Sequence, residues 1–203
     1  MKKNIIFSVL VIVLGIFICV IAINPGIVGG NPMEGDGQYD NNEANDDVDV
    51  TGNNDMNPEE KNPIAGNVIE FQTTDIEENS IDSSIFQEQE LTLLNLWSIN
   101  CPPCVQELPE LEKIANEYKG KVRVVGIAGD TDIESVKEVL KKKGVTYTNI
   151  LPGKKLQEQI INHFEYIPVT LIVNKEGKVL EKFVPGGGEY DYFKTIITEL
   201  LDK

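Results

Sequence analysis

The amino-acid sequence predicts an α/β domain, a central mixed β-sheet flanked by helices with a strand-and-hairpin extension at its start. Three observations predict it. The apolar run Leu91 to Trp97 has the length of a buried strand, and apolar positions Cys104, Leu108, Leu111, Ala115 and Tyr118 follow it at helical spacing. A second apolar run, Val122 to Ala128, again leads into a helical pattern, so strands alternate with helices as in βαβ units. Near the C-terminus, Val169 to Asn174 and residues 178–184 flank the turn Asn174-Lys-Glu-Gly177 and read as an antiparallel hairpin, which makes the sheet mixed.

The 203 residues leave room for one ordinary domain plus extras. Lys2 and Lys3 precede residues 5–23, which carry no charge and a single Ser. That stretch is long enough to span a bilayer, and the lysines orient its start inward. Residues 1–24 are therefore expected to be an N-terminal transmembrane anchor, with a signal peptide cleaved after Val20-Ile21-Ala22 as the rival. Cys19 has Ile18 before it, where a lipoprotein box expects a small residue, and is read as lipid-facing with no redox role. Residues 25–65 are expected to be a disordered linker: residues 34–60 hold ten acidic side chains and no basic one. Such a segment buries too little apolar surface to offset its ordering entropy, and gives a reach of roughly 35 Å. The cluster Asp46-Asp47-Val48-Asp49 lacks the spacing of a calcium loop. With a formal net charge of −15 and one Arg, nothing in the sequence suggests nucleic-acid binding.

The domain itself, residues 66–203, opens with Val68-Ile-Glu-Phe-Gln-Thr-Thr as a short strand, then a hairpin turn and a short helical segment over 75–87. After Val122 to Ala128, Thr131-Asp-Ile-Glu134 reads as a capping box. The helix it opens carries Ile133, Val136, Val139 and Leu140, and ends in Lys141-Lys-Lys143 and Gly144. Residues 147–151 form a weaker strand, and Leu156, Ile160, Ile161 and Phe164 mark a short helix. Tyr166-Ile167-Pro168 turns into the C-terminal hairpin, Pro185-Gly186-Gly187-Gly188 forms a turn, and Tyr190 to Leu201 is the final helix.

Chemistry concentrates at Cys101-Pro102-Pro103-Cys104, where the central strand hands over to a helix. Proline is tolerated in the first helical turn, which places Cys101 at or near the N-cap and Cys104 one turn further in. Unpaired amides at a helix N-terminus favour a thiolate over a thiol. Lowering a cysteine pKa from about 8.5 to about 7 is worth roughly 2 kcal/mol. Cys104 is close enough to bridge back to Cys101, so the pair is built for thiol–disulfide exchange. Other readings compete. A structural staple would close only a tiny loop, where the gain is smallest. A zinc site needs two more ligands, and only Cys19 and the single histidine, His163, remain. Chance occurrence is the third.

With these residues in view, Trp97, Cys101, Cys104 and the helix-interrupting Pro109 resemble the W-x-x-x-C-x-x-C-x-x-x-x-P signature of the thioredoxin superfamily. Asn95, six residues before Cys101, and Glu107, three after Cys104, resemble the membrane-anchored TlpA/ResA-type branch. In thioredoxin itself a buried aspartate stands where Asn95 is. Ile167-Pro168 resembles the superfamily's cis-proline loop, whose residue before the proline offers backbone groups to a substrate in β-strand fashion. Two departures stand out: Asn100 replaces the usual Trp before the first cysteine, and Val169 the usual Thr after the proline.

The resemblance implies a thioredoxin fold and an extracytoplasmic protein-disulfide reductase, single-pass in the cell membrane and monomeric. Cys101 is the expected nucleophile, Cys104 the resolving thiol and Glu107 the acceptor of its proton. Trp97, Pro102, Pro103, Ile167 and Pro168 are expected to shape the substrate surface and access to the sulfurs. The Cys101–Cys104 disulfide carries the electrons, so no dissociable cofactor and no metal is expected. Expected partners are disulfide-bearing exported proteins and an upstream membrane thiol donor. Three alternatives come from other classes: an oxidase or isomerase of secreted proteins, a peroxiredoxin-like thiol peroxidase, and a non-enzymatic surface-binding module. The peroxidase lacks its Pro-x-x-x-Thr-x-x-Cys environment.

Overall fold

The computed structural model describes residues 60–202. The expected anchor, the 46–49 cluster and all but the last six residues of the expected linker lie outside the described residues. Among the described residues no helix is long and apolar enough to cross a membrane. Packing begins before residue 66, earlier than expected. Asn62 Nδ2 donates to Leu180 O at 2.8 Å, Gly66 N to Val179 O at 2.8 Å, and the Ile64 side chain is 1% exposed. The reason is apolar: Ile64 reaches the core, and a turn with Asn62 at its head brings it there.

The elements run β1 (Gln72–Thr74), β2 (Ser80–Asp82), a 3₁₀ helix (Ser83–Glu88), β3 (Leu91–Trp97), α1 (Pro102–Glu117), β4 (Val122–Ala128), α2 (Ile133–Lys143), β5 (Thr148–Ile150), α3 (Lys154–Gln159), a 3₁₀ turn (Ile161–His163), β6 (Val169–Asn174), β7 (Val179–Pro185) and α4 (Tyr190–Leu201). The main sheet has the order β5-β4-β3-β6-β7. β3 pairs in parallel with β4 and β4 with β5, whereas β3–β6 and β6–β7 are antiparallel. The mixed sheet expected from the pattern is therefore present. Every residue of β3 is buried, the polar Thr92 and Asn95 included, as in a largely apolar strand covered on both faces.

Alternation along β3 sorts the two layers. Leu91 and Leu93 pack with Leu111 and Ile114 of α1 and Phe193, Ile196 and Ile197 of α4. Trp97, at the same parity, joins Leu108 of α1 and Val136 and Leu140 of α2. Leu94 and Leu96 face the other way, onto Ile69, Phe71, Phe86 and Leu156 from the N-terminal extension and α3. Each fully buried side chain of this size contributes about 1.5–3 kcal/mol.

Local details differ from the sequence reading. Of residues 68–74 only Gln72–Thr74 is strand; Ile69 and Phe71 turn into the core, and Val68 makes a lone bridge to Lys178. The cap of α2 is Asp132, not Thr131: its Oδ1 accepts from Ser135 N at 3.2 Å and its Oδ2 from Ser135 Oγ at 2.7 Å. With one oxygen for each, the Asp132 carboxylate accepts from both donors of Ser135. Pro109 does not interrupt α1, which runs through it to Glu117 because apolar burial on either side holds the helix despite one missing backbone bond. The helix expected over 156–164 splits into α3 and the 3₁₀ turn, with Ile160 buried between them.

Candidate active site

The site sits where β3 ends. Its loop, Ser98-Ile99-Asn100, is held by Asp130, two residues beyond β4. Ser98 Oγ donates to Asp130 Oδ1 at 2.9 Å, Ile99 N to Asp130 Oδ2 at 2.9 Å, and Asn100 Nδ2 to Asp130 Oδ1 at 3.3 Å. Cys101 N then donates to Ser98 O at 3.2 Å, closing the turn that delivers Cys101 to the N-cap of α1. Nothing in the sequence marked Asp130, a common residue in a common loop position.

Cys101 and Cys104 form a disulfide. Cys104 is wholly buried, and Cys101 is partly exposed in front of it. Pro102 and Pro103, both exposed, occupy the first two helical positions and have no N–H to offer. The amide bonded to the Cys101 sulfur is that of Cys104, at 3.3 Å. Opposite lies the cis peptide bond Ile167–Pro168, with Ile167 O 3.7 Å from Cys101 Sγ. Among the described residues the exposed large hydrophobic side chains are Val68, Tyr166 and Ile167. Two of the three thus lie in the segment leading to this proline, while Pro168 itself is buried.

Glu107 comes from the second turn of α1 and is 4% exposed. Its Oε1 accepts from Asn95 Nδ2 at 2.8 Å, and its Oε2 from Gly188 N at 3.1 Å. Burial pushes its pKa up to about 7, and the two hydrogen bonds pull the other way. No hydrogen bond joins Glu107 to either sulfur. Its other side lines a cleft of about 480 Å³ between α1 and the Gly186–Gly188 turn. Gly187 has φ +91°, and a Cβ there would stand 3.1 Å from Pro168 Cγ and 3.3 Å from Glu107 Oε2. Glycine thus lets the turn lie close over both the carboxyl and the proline loop.

Trp97 needs correction. It was expected on the substrate surface, yet it is 1% exposed and packs with Cys104, Leu108 and Val136 behind the disulfide. The indole N–H donates to Asn149 Oδ1 at 2.9 Å. The last residue of β3 points into the layer covered by α1 and α2, so its bulk supports the pair from within. His163 is exposed in the 3₁₀ turn after α3. Sequence reasoning also missed Asn149, Thr170 and Gly188, whose partners become neighbours only through sheet register and loop packing.

The redoxin family model matches residues 59–196. The chain is 24% identical over 119 residues to the thiol-disulfide oxidoreductase ResA of Halalkalibacterium halodurans, covering 58% of this chain and 66% of that protein. It is 26% identical over 126 residues to the sporulation thiol-disulfide oxidoreductase A of Bacillus subtilis, covering 60% and 73%. A thiol:disulfide interchange protein of Chlorobium tepidum superposes with a TM-score of 0.58 at 19% identity, over 68% of this chain and 97% of the other, which shows the shared fold. The chain belongs to the redoxin family, as a TlpA/ResA-type member of the thioredoxin superfamily.

Proposed function

We propose that the protein is an extracytoplasmic thiol–disulfide oxidoreductase that reduces disulfides of exported proteins. The observation that carries this reading is the division of labour within one disulfide: Cys101 partly exposed at a helix N-cap, Cys104 buried behind it. In the reduced protein the Cys101 thiolate attacks a substrate disulfide, forming a mixed disulfide and releasing one substrate thiolate. Cys104 loses its proton to Glu107 and attacks Cys101 Sγ, releasing the second. The substrate gains two electrons, and the Cys101–Cys104 disulfide re-forms. A membrane thiol donor then returns two electrons to the pair.

Glu107 suits its part because burial brings its pKa up to about 7, closer to the ordinary thiol range than an exposed carboxylate stands, and the cleft beside it leads to solvent. Exposed Ile167 and Tyr166 offer an apolar docking edge, with Ile167 O as a backbone acceptor near the sulfur. Reduction is favoured over oxidation because strong oxidants owe their potential to a well-stabilised reduced form. Here Pro102 and Pro103 withhold two amides from the Cys101 thiolate. Residues 5–23 supply the anchor, with Lys2 and Lys3 inside and the domain outside.

The test is trapping. Cys104→Ser on the full chain leaves mixed disulfides at Cys101 unresolved, and mass spectrometry identifies what is attached. Exported proteins that become more oxidised in cells lacking the protein are the expected result. Captured partners that instead lose their disulfides in such cells would reverse the direction, and capture of cytoplasmic proteins alone would overturn the location.

A further inference from the structure

We propose that Asn95 is a positioning residue for Glu107: its amide, anchored on Thr170, fixes the carboxyl and keeps it in the proton-accepting form. The inference rests on Glu107 being the acceptor of the Cys104 proton. Three elements meet at this point. Asn95 in β3 stands in register opposite Thr170 in β6, and Glu107 descends from α1. Asn95 Nδ2 donates to Glu107 Oε1 at 2.8 Å and to Thr170 Oγ1 at 3.0 Å. With both hydrogens committed, the amide cannot turn without losing both bonds.

The other end of the side chain shows what the amide is for. Asn95 is fully buried, and its Oδ1 has no hydrogen-bond partner among the described residues. An orphaned buried acceptor is unfavourable, and an apolar side chain of similar size would avoid it. The amide is therefore useful on its nitrogen side alone. Aspartate would not serve, because a second carboxylate against Glu107 would leave the two sharing one proton. An amide supplies a donor without a charge.

Other titratable groups stand near Glu107 without bonding to it. Glu110 and Lys113 of α1, and Glu189, Tyr190 and Asp191 at the start of α4, line the same cleft. Cys104 lies one turn back on α1, and Tyr147, before β5, is raised in pKa by its own burial and then by the charges of Glu107 and Glu112. Asn95 is thus the side-chain donor to this carboxyl among the described residues, and Gly188 N the backbone donor.

The test is the pH dependence of the resolving step, followed as release of glutathione from full-length protein carrying glutathione on Cys101. Asn95→Leu is expected to move the acidic limb of the rate profile up by about one pH unit, a tenfold loss below the midpoint. Thr170→Val is expected to move it less, and Thr170→Ser to leave it in place. Glu107→Gln replaces this limb with the one set by ionisation of Cys104 itself, at a different midpoint. A limb unmoved in Asn95→Leu but displaced in Glu107→Gln overturns the role of Asn95 alone. A limb with the wild-type midpoint in Glu107→Gln overturns the assignment of Glu107 beneath it. Should Asn95→Leu fail to fold, a carboxyl carbon NMR titration of Glu107 in oxidised Thr170→Val decides. An upward midpoint supports the proposal and an unchanged one overturns it.

Discussion

Glu107 ties the stability of the oxidised protein to pH in a direction opposite to ordinary acid unfolding. Its carboxyl is raised from 4.5 to about 7, and burial is the largest cause. Between those values the folded protein holds a proton that the unfolded chain releases. The stability this contributes is present in full below about pH 4.5 and is lost as pH rises through about 7. At about 1.4 kcal/mol per pKa unit the whole loss is roughly 3 kcal/mol, of which about 2.5 falls between pH 5 and 8. At 4% exposure, solvent screening does not reduce it. Glu107→Gln removes the titration. The glutamine presents one oxygen where the carboxylate accepted from both Asn95 and Gly188, so it forfeits about 1 kcal/mol at every pH. Urea unfolding of both oxidised proteins at pH 5 and pH 8 separates the two effects. Carboxylates held low by hydrogen bonds, such as Asp75 and Glu112, titrate alike in both proteins and cancel. The variant should gain about 2.5 kcal/mol on wild type between the two pH values. A difference below about 0.5 kcal/mol would refute the reasoning, since it requires Glu107 to ionise as easily folded as unfolded.

Two further outcomes are expected. Gly126→Ala would place a Cβ 2.1 Å from Asn149 Oδ1 and 2.9 Å from Trp97 Nε1, so Asn149 must leave and the indole N–H stays buried without a partner. Denaturant unfolding should show a loss of about 2–4 kcal/mol, and a loss under about 1 kcal/mol would mean that Asn149 moves aside freely. Pro102→Gly restores an amide beside Cys101, where the bonded amide is that of Cys104. Ultraviolet thiolate titration should find the Cys101 pKa moderately depressed in wild type and lower still in the variant. No fall would show that other groups control the nucleophile.

The sequence by itself determined the main strands and helices and the reactive pair, though not the bounds of the shorter elements. A largely apolar strand of seven residues, followed by two cysteines and two prolines at the head of an amphipathic helix, leaves little freedom locally. Burial of β3 on both faces, the N-cap position of Cys101 and the mixed sheet all follow from period and capping rules that act over a few residues. Glu107 was singled out by its spacing from Cys104, but spacing alone did not separate a solvated carboxylate from a buried one. That was decided by Asn95 across the layer and by the Gly186–Gly188 turn folding over α1, a contact spanning 81 residues of chain. The face on which Trp97 lies, the role of Asp130 in holding the cysteine loop and the pairing of Asn95 with Thr170 were likewise decided by the tertiary structure. The physical reason is common to them. Helix and strand periods tell which side chains share a face, whereas desolvation and hydrogen-bond partners depend on what packs against that face, and those neighbours come from distant parts of the chain.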